Sequence, residues 1–204
     1  MDLTNLDTLP SELRTAAGVQ QAIAGEMLFQ QGDVATSLFA VRMGRVKLER
    51  YIDEGRIVTL YVARTRNVFG TAGLILNTYP YAAIAEIPSQ VIHYPKSALI
   101  SALQTSPDLA ETLITMLAQV IQTLEIRLEL RDIRAPHQRV LRYLRYQSQD
   151  TEESIITFDR AFKDIARELG FTAETLSRAI TRLEQQGLIS RHQQQIILHP
   201  SQRD

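Results

Sequence analysis

The sequence predicts an α+β chain in three parts: a small N-terminal β jelly roll, one long helix, and a C-terminal winged helix-turn-helix. Three observations carry this. Between about Gln20 and Tyr94, short apolar stretches alternate with turn signals at roughly 8–12-residue spacing. From Pro107 to Arg134 the apolar residues return at helical steps. Phe162 to Thr181 fits a helix-turn-helix template position by position.

Bulk properties bound the rest. A chain of 204 residues is long enough for two modest domains. It holds no run of about 18 apolar residues, and MDLTNLDTLP has neither a basic nor an apolar leader region, so a cytoplasmic protein without a membrane partner is expected. With Cys 0 there is no disulfide framework, thiolate zinc site or iron-sulfur cluster. The net charge of -1 excludes a surface basic all over but leaves room for a local basic face. From Ala135 to Asp204, ten Lys/Arg stand against nine Asp/Glu.

The strands of the first part read as AGEMLF, SLFAVRMG, RVKLERYI, RIVTLYVA, NVFG and SQVIHY. In RVKLERYI, Val46, Leu48 and Arg50 alternate with Lys47, Glu49 and Tyr51, and Asp53-Glu54-Gly55 supplies a hairpin turn into the strand from Ile57. Strands this short need closed or covered edges, which favours a small jelly roll over residues 1–106.

The second part, residues 107–134, carries Leu113, Leu117, Val120, Leu124 and Leu128 on one stripe. Packing on the barrel is one reading. A near-heptad seam joining two copies of the chain is the other, and the favoured one, with Glu125 and Arg127 flanking it. Arg134-Ala135-Pro136 marks a hinge, because the residue before a proline is pushed out of the helical region. The third part, residues 135–204, opens with an amphipathic helix around Val140, Leu141 and Leu144 and a polar loop from Gln147 to Ser154.

In the helix-turn-helix, Ala166 is small where two helices cross and Gly170 sits where the turn needs positive φ. Thr172 can cap the second helix, and Glu174 suits its N-terminal dipole. With Leu176, Ala179, Ile180 and Leu183 on the buried side, Ala173, Glu174, Ser177, Arg178 and Thr181 face out. That stripe suits a DNA major groove: Arg178 can donate to guanine N7 and O6, Glu174 can accept from cytosine N4, and Ser177 can reach a base edge or phosphate. An ordinary surface pair between Glu174 and Arg178 is the alternative. GLISRHQQQIILHP reads as a hairpin wing whose Arg191, His192 and Gln193 contact phosphate or simply lie in solvent. Arg139, Arg142 and Arg145 form either a basic edge or a solvated face.

These motifs resemble the cyclic-AMP receptor protein / fumarate and nitrate reduction regulator (Crp/Fnr) family of transcription regulators over nearly the whole chain. Gly25-Glu26-Met27-Leu28-Phe29-x-x-Gly32-Asp33 and Leu38-Phe39-x-Val41-x-x-Gly44-x-Val46 carry the resemblance in the barrel. Thr175-Leu176-Ser177-Arg178 and Leu183-Glu184-x-x-Gly187-Leu188-Ile189 carry it in the recognition helix and wing. The resemblance implies a cyclic-nucleotide-binding-like barrel, a homodimer on a palindromic double-stranded operator, and RNA polymerase as a partner. Glu174, Ser177 and Arg178 are similar to the oxygen-responsive branch that reads a TTGAT-like half-site, whereas Ala173 replaces an arginine common in the cyclic-AMP branch. It also implies that Phe69-Gly70-Thr71-Ala72-Gly73-Leu74 and Tyr79-Pro80-Tyr81 occupy the nucleotide pocket, with Thr71 in place of the ribose-binding Glu and Tyr79 in place of the phosphate-binding Arg.

A phosphodiester deprived of its cation loses a charge-assisted bond of about 1.5–3 kcal/mol, so cyclic AMP is not the expected ligand. Tyr61, Tyr79 and Tyr81 line a pocket for an unidentified small molecule or pack as ordinary aromatics. Haem needs an axial ligand; His93, the barrel's one histidine, is read as structural. An enzyme is not expected, because one barrel histidine cannot build a metal triad and neither a nucleophile elbow nor a phosphate loop is present. A protein-interaction module with a degenerate DNA-binding domain is the alternative function.

Overall fold

The computed structural model describes residues 1–148, 155–158, 161–192 and 195–199, which fall into two compact units, Met1–Thr123 and Leu124–Asp204. The α+β class is as expected from the sequence.

In the first unit, helix α1 (Ser11–Ala16) precedes strands β1 (Gly18–Ala22), β2 (Met27–Phe29), β3 (Ser37–Met43), β4 (Arg45–Tyr51), β5 (Ile57–Arg64), β6 (Val68–Phe69), β7 (Ala82–Ala85) and β8 (Ser89–Pro95). They form two antiparallel four-stranded sheets, ordered β1-β8-β3-β6 and β2-β7-β4-β5. Phe29, Phe39, Val41, Val46, Leu48, Tyr61, Phe69 and Val91 fill the space between the sheets. The alternate residues Leu38, Ala40, Ile92 and Tyr94 leave β3 and β8 on their other face and pack under α1, α2 (Lys96–Thr105) and the start of α3 (Pro107–Asp132). Burial on both faces explains why LFAV, residues 38–41, is apolar without interruption. α1 and α2 are short and weakly patterned, and the sequence reading did not separate them.

β4 departs from simple alternation. Val46 and Leu48 point inward, but Glu49 is buried too, on the opposite face, with Lys47 Nζ 2.9 Å from its carboxylate. Arg50 lies beyond the core, exposed, and its Nε donates to Pro80 O at 3.1 Å.

The second unit takes in α3 from Leu124 onward, α4 (Pro136–Ser148), β9 (Ile155–Thr157), α5 (Phe162–Glu168), α6 (Ala173–Gln185), β10 (Ile189–His192) and β11 (Gln195–Leu198). α3 stops at Asp132, two residues short of the expected end, and Pro136 opens α4, a position where its missing N–H is no loss. β11 lies between β10 and β9 in an antiparallel sheet. Leu130, Val140, Leu144, Ile165, Leu176, Ile180, Leu183, Ile189 and Ile196 share one core. Of the expected loop from Gln147 to Ser154, Gln147 and Ser148 end α4 and residues 149–154 lie outside the described residues.

Gly44 turns β3 into β4 with φ +98, and a Cβ there would strike Ser89 Oγ and lie 2.7 Å from Pro88 O. Gly44→Ala is therefore strained in backbone and in space, and we expect a loss of about 2 kcal/mol or more, read as a lowered urea midpoint of the full chain.

Candidate nucleic-acid interface and barrel pocket

The turn between α5 and α6 is closed by backbone bonds from Leu169 N to Ile165 O at 3.0 Å and from Phe171 N to Ala166 O at 2.7 Å. Gly170 holds φ +73, which a Cβ would disfavour, and Ala166 is fully buried where the helices cross. Thr172 Oγ1 accepts from Thr175 N at 3.2 Å and so caps α6. Recognition chemistry thus starts from a helix whose first turn is fixed.

Leu176, Ala179, Ile180 and Leu183 are buried behind α6, while Thr172, Ala173, Glu174, Ser177, Arg178 and Thr181 are all exposed. Glu174 and Arg178 pair along that outer face. Arg182, which the sequence reading passed over, is exposed one turn further on, and its spacing of four from Arg178 was the available signal. In the wing, Arg191 and His192 are exposed, and the Arg191 guanidinium sits 4.7 Å from the Phe162 ring centroid. Gln193 lies outside the described residues.

The three arginines of α4 part company. Arg145 is exposed and Arg142 Nε donates to Glu129 at 2.9 Å. Arg139 turns inward: Nη2 reaches Ile133 O at 2.7 Å and Nη1 reaches Leu169 O at 3.0 Å. Burial, then the charge of Arg131, lowers its pKa from the ordinary value.

In the barrel, Gly70 takes φ +74 and leads a single 3-10 turn from Thr71 to Leu74. Tyr79 is 2% exposed; its hydroxyl donates to Ser37 O at 2.6 Å and accepts from Ser37 N at 3.0 Å. Its ring stacks on Phe29 with centroids 3.8 Å apart, and Phe39 and Phe69 continue the pile at 5.0 Å. Tyr81 is buried. Burial pushes both phenols above their ordinary pKa, so neither becomes an anion near neutral pH. Tyr61 belongs to the same core, but its hydroxyl donates to Asn67 Oδ1 at 3.0 Å. The structure therefore brings Gly70, Thr71, Tyr79 and Tyr81 together as packed wall, with Tyr61 turned to a neighbouring loop. His93 packs its ring against Gly18 and 6.3 Å from Phe39.

The α3 stripe is divided. Leu113 is buried in the barrel's outer core, and Leu117 and Val120 lie partly buried against it. Leu124 and Leu128 are 38% and 64% exposed, and Ile114 and Ile121, not singled out from the sequence, are 65% and 57% exposed. Ile114, Leu117, Ile121, Leu124 and Leu128 follow an a/d heptad spacing, whereas Leu113 and Val120 belong to the face turned to the barrel. α3 is also the one helix among the described residues long and apolar enough to cross a membrane by length and composition. Its apolar residues divide between a core-facing side and an exposed stripe.

A strand sandwich carrying a capped helix-turn-helix and wing defines a DNA-binding regulator with an N-terminal sensor-type barrel. The comparisons agree. Residues 19–106 match the Cyclic nucleotide-binding domain and residues 138–202 match the Crp-like helix-turn-helix domain. The chain is 28% identical to the Transcriptional activator protein anr of Pseudomonas aeruginosa, over 81% of this chain and 70% of that one. It is 27% identical to the Global nitrogen regulator of Synechococcus elongatus, over 87% and 84%. The FixK2 structure from Bradyrhizobium japonicum shares the fold at TM-score 0.75 and 24% identity, covering 92% of this chain and 94% of that one. The chain belongs to the Crp/Fnr family and is a transcription regulator with a helix-turn-helix DNA-binding domain.

Proposed function

We propose that this regulator binds a palindromic operator as a homodimer, with α6 of each protomer in a major groove, and that its barrel works without cyclic AMP. One observation carries the reading: Glu174, Ser177 and Arg178 stand exposed on a capped helix whose whole rear face is core. Such a helix offers its outer face with its backbone already fixed. Arg178 reads guanine through N7 and O6, Glu174 accepts from cytosine N4, and Ser177 takes a base edge or a phosphate. Thr172, Ala173, Thr181 and the wing's Arg191 flank these contacts, and Arg182 is placed for a phosphate.

The working parts are residues 1–106 as barrel, 107–134 as dimerisation helix and 135–204 as DNA-binding domain. The exposed heptad of α3 supports the dimer. Tyr79 supports a barrel without cyclic AMP, since it fills the place of the phosphate cation and spends its hydroxyl on Ser37. A different small molecule, or none, acts on the barrel. A regulator of chromosomal DNA works in the cytoplasm and meets RNA polymerase at its promoters. This reading gives the chain no catalytic step.

Selection from a random duplex library at fixed, near-physiological salt should yield palindromes with a guanine in each half-site. Sequence-blind binding with and without cell extract would instead favour the protein-interaction module. On the selected duplex, Arg178→Ala should weaken binding by about 10- to 100-fold, measured by fluorescence anisotropy.

Ile121→Glu with Leu128→Glu should convert the chain to a monomer in sedimentation at micromolar concentration, with its far-UV circular dichroism retained. Calorimetric titration with cyclic AMP at micromolar levels should give no saturable heat.

A further inference from the structure

Arg139 is half-buried and spends its guanidinium on backbone carbonyls. Its Nε and Nη2 donate to Ile133 O at 2.9 and 2.7 Å, and Nη2 also reaches Arg131 O at 3.1 Å. On its other side Nη1 donates to Leu169 O at 3.0 Å, and the guanidinium carbon sits 4.6 Å from the Phe171 ring centroid. One planar group thus joins the carbonyl end of α3 to the turn that launches the recognition helix.

The chemistry explains the residue type. Carbonyls at the end of a helix have no intrahelical donor and carry partial negative charge, so a cation there is favourable. A guanidinium offers five N–H groups in a rigid plane and stacks on an aromatic face, whereas an ammonium is a point charge without that geometry. A second arginine makes a parallel tie: Arg127 Nη2 lies 3.2 Å from Glu168 Oε1, with side chains only 16% and 13% exposed. Glu168 and Leu169 are adjacent, so two guanidinium groups hold the helix-turn-helix turn to α3 at one point.

The segment of α3 they hold is the one that carries Leu124 and Leu128 of the exposed heptad. We propose that Arg139, with Arg127, is a positioning residue for operator spacing. It makes no contact with DNA; it fixes where α6 stands relative to the dimer seam, so that the paired recognition helices accept one half-site separation and reject its neighbours. This rests on the dimeric, palindrome-reading function proposed above. A cap that served folding alone would change stability and affinity for every duplex alike, whereas a positioning residue changes the ratio between spacings.

The test uses the full chain, the selected palindrome, versions with one base pair added or removed between half-sites, and a single half-site, all at one salt concentration. Each added pair moves a half-site by about 3.4 Å and about a tenth of a turn. The parent should prefer the selected spacing by roughly 10- to 100-fold. Arg139→Gln should cut that preference about tenfold while affinity for the single half-site changes less than about threefold. An intact preference in Arg139→Gln overturns the proposal, even where overall affinity falls. A parent with no spacing preference overturns the dimeric reading and this proposal with it. If Arg139→Gln loses its folded circular dichroism, Arg139→Lys and Arg127→Gln decide: a reduced preference in either upholds the proposal, and an unchanged preference in both overturns it.

Discussion

Leu109, Leu113 and Met116 close the outer core of the barrel, Leu130 enters the core of the C-terminal unit, and Ile114, Ile121, Leu124 and Leu128 of the same helix stay exposed. One helix therefore supplies apolar residues to two separate cores and keeps a third set in solvent. Over 26 residues α3 runs about 39 Å, long enough for successive turns to serve different partners. Each fully buried Leu or Ile is worth about 1.5–3 kcal/mol, so a run of exposed ones at heptad spacing is a standing drive toward association.

The barrel meets a related demand on β3 and β8, whose two faces look into two different cores. The inner face collects rings: Phe29, Phe39, Phe69 and Tyr79 stack in sequence, and the hydroxyl of Tyr79 is satisfied by Ser37. Aromatic carbon thus fills the space between the two sheets, and the one phenol in the stack keeps its hydroxyl paired with backbone.

The parts legible in the sequence are those whose signals are local. The helix-turn-helix could be read because the small residue, the positive-φ glycine, the capping threonine and the apolar positions fall within twenty consecutive residues, and each acts on its neighbours. The jelly roll could be read from its strands and turns, but not which faces of β3 and β8 met helices, since both faces are apolar. The α3 stripe was half legible: a period near 3.6 marks a helix, yet Leu113 and Ile114 are adjacent in sequence and on different faces, and only burial separates them. Arg139 was not legible at all. Its partners are backbone carbonyls of Arg131, Ile133 and Leu169, and a backbone atom leaves no trace in residue type.

The same distinction resolves the near balance of charge in the C-terminal part, where ten basic residues face nine acidic ones. Net charge counts every residue equally, whereas DNA meets only those on one surface. Of the acidic residues in that span, Glu168 is held against Arg127 with both side chains mostly buried. Arg178, Arg182 and Arg191 are exposed, two on the recognition helix and one in the wing. A carboxylate held inside the unit adds little to the charge its surface presents. A nearly neutral domain can thus carry locally basic surface, because not every charge in the sum lies on the same surface.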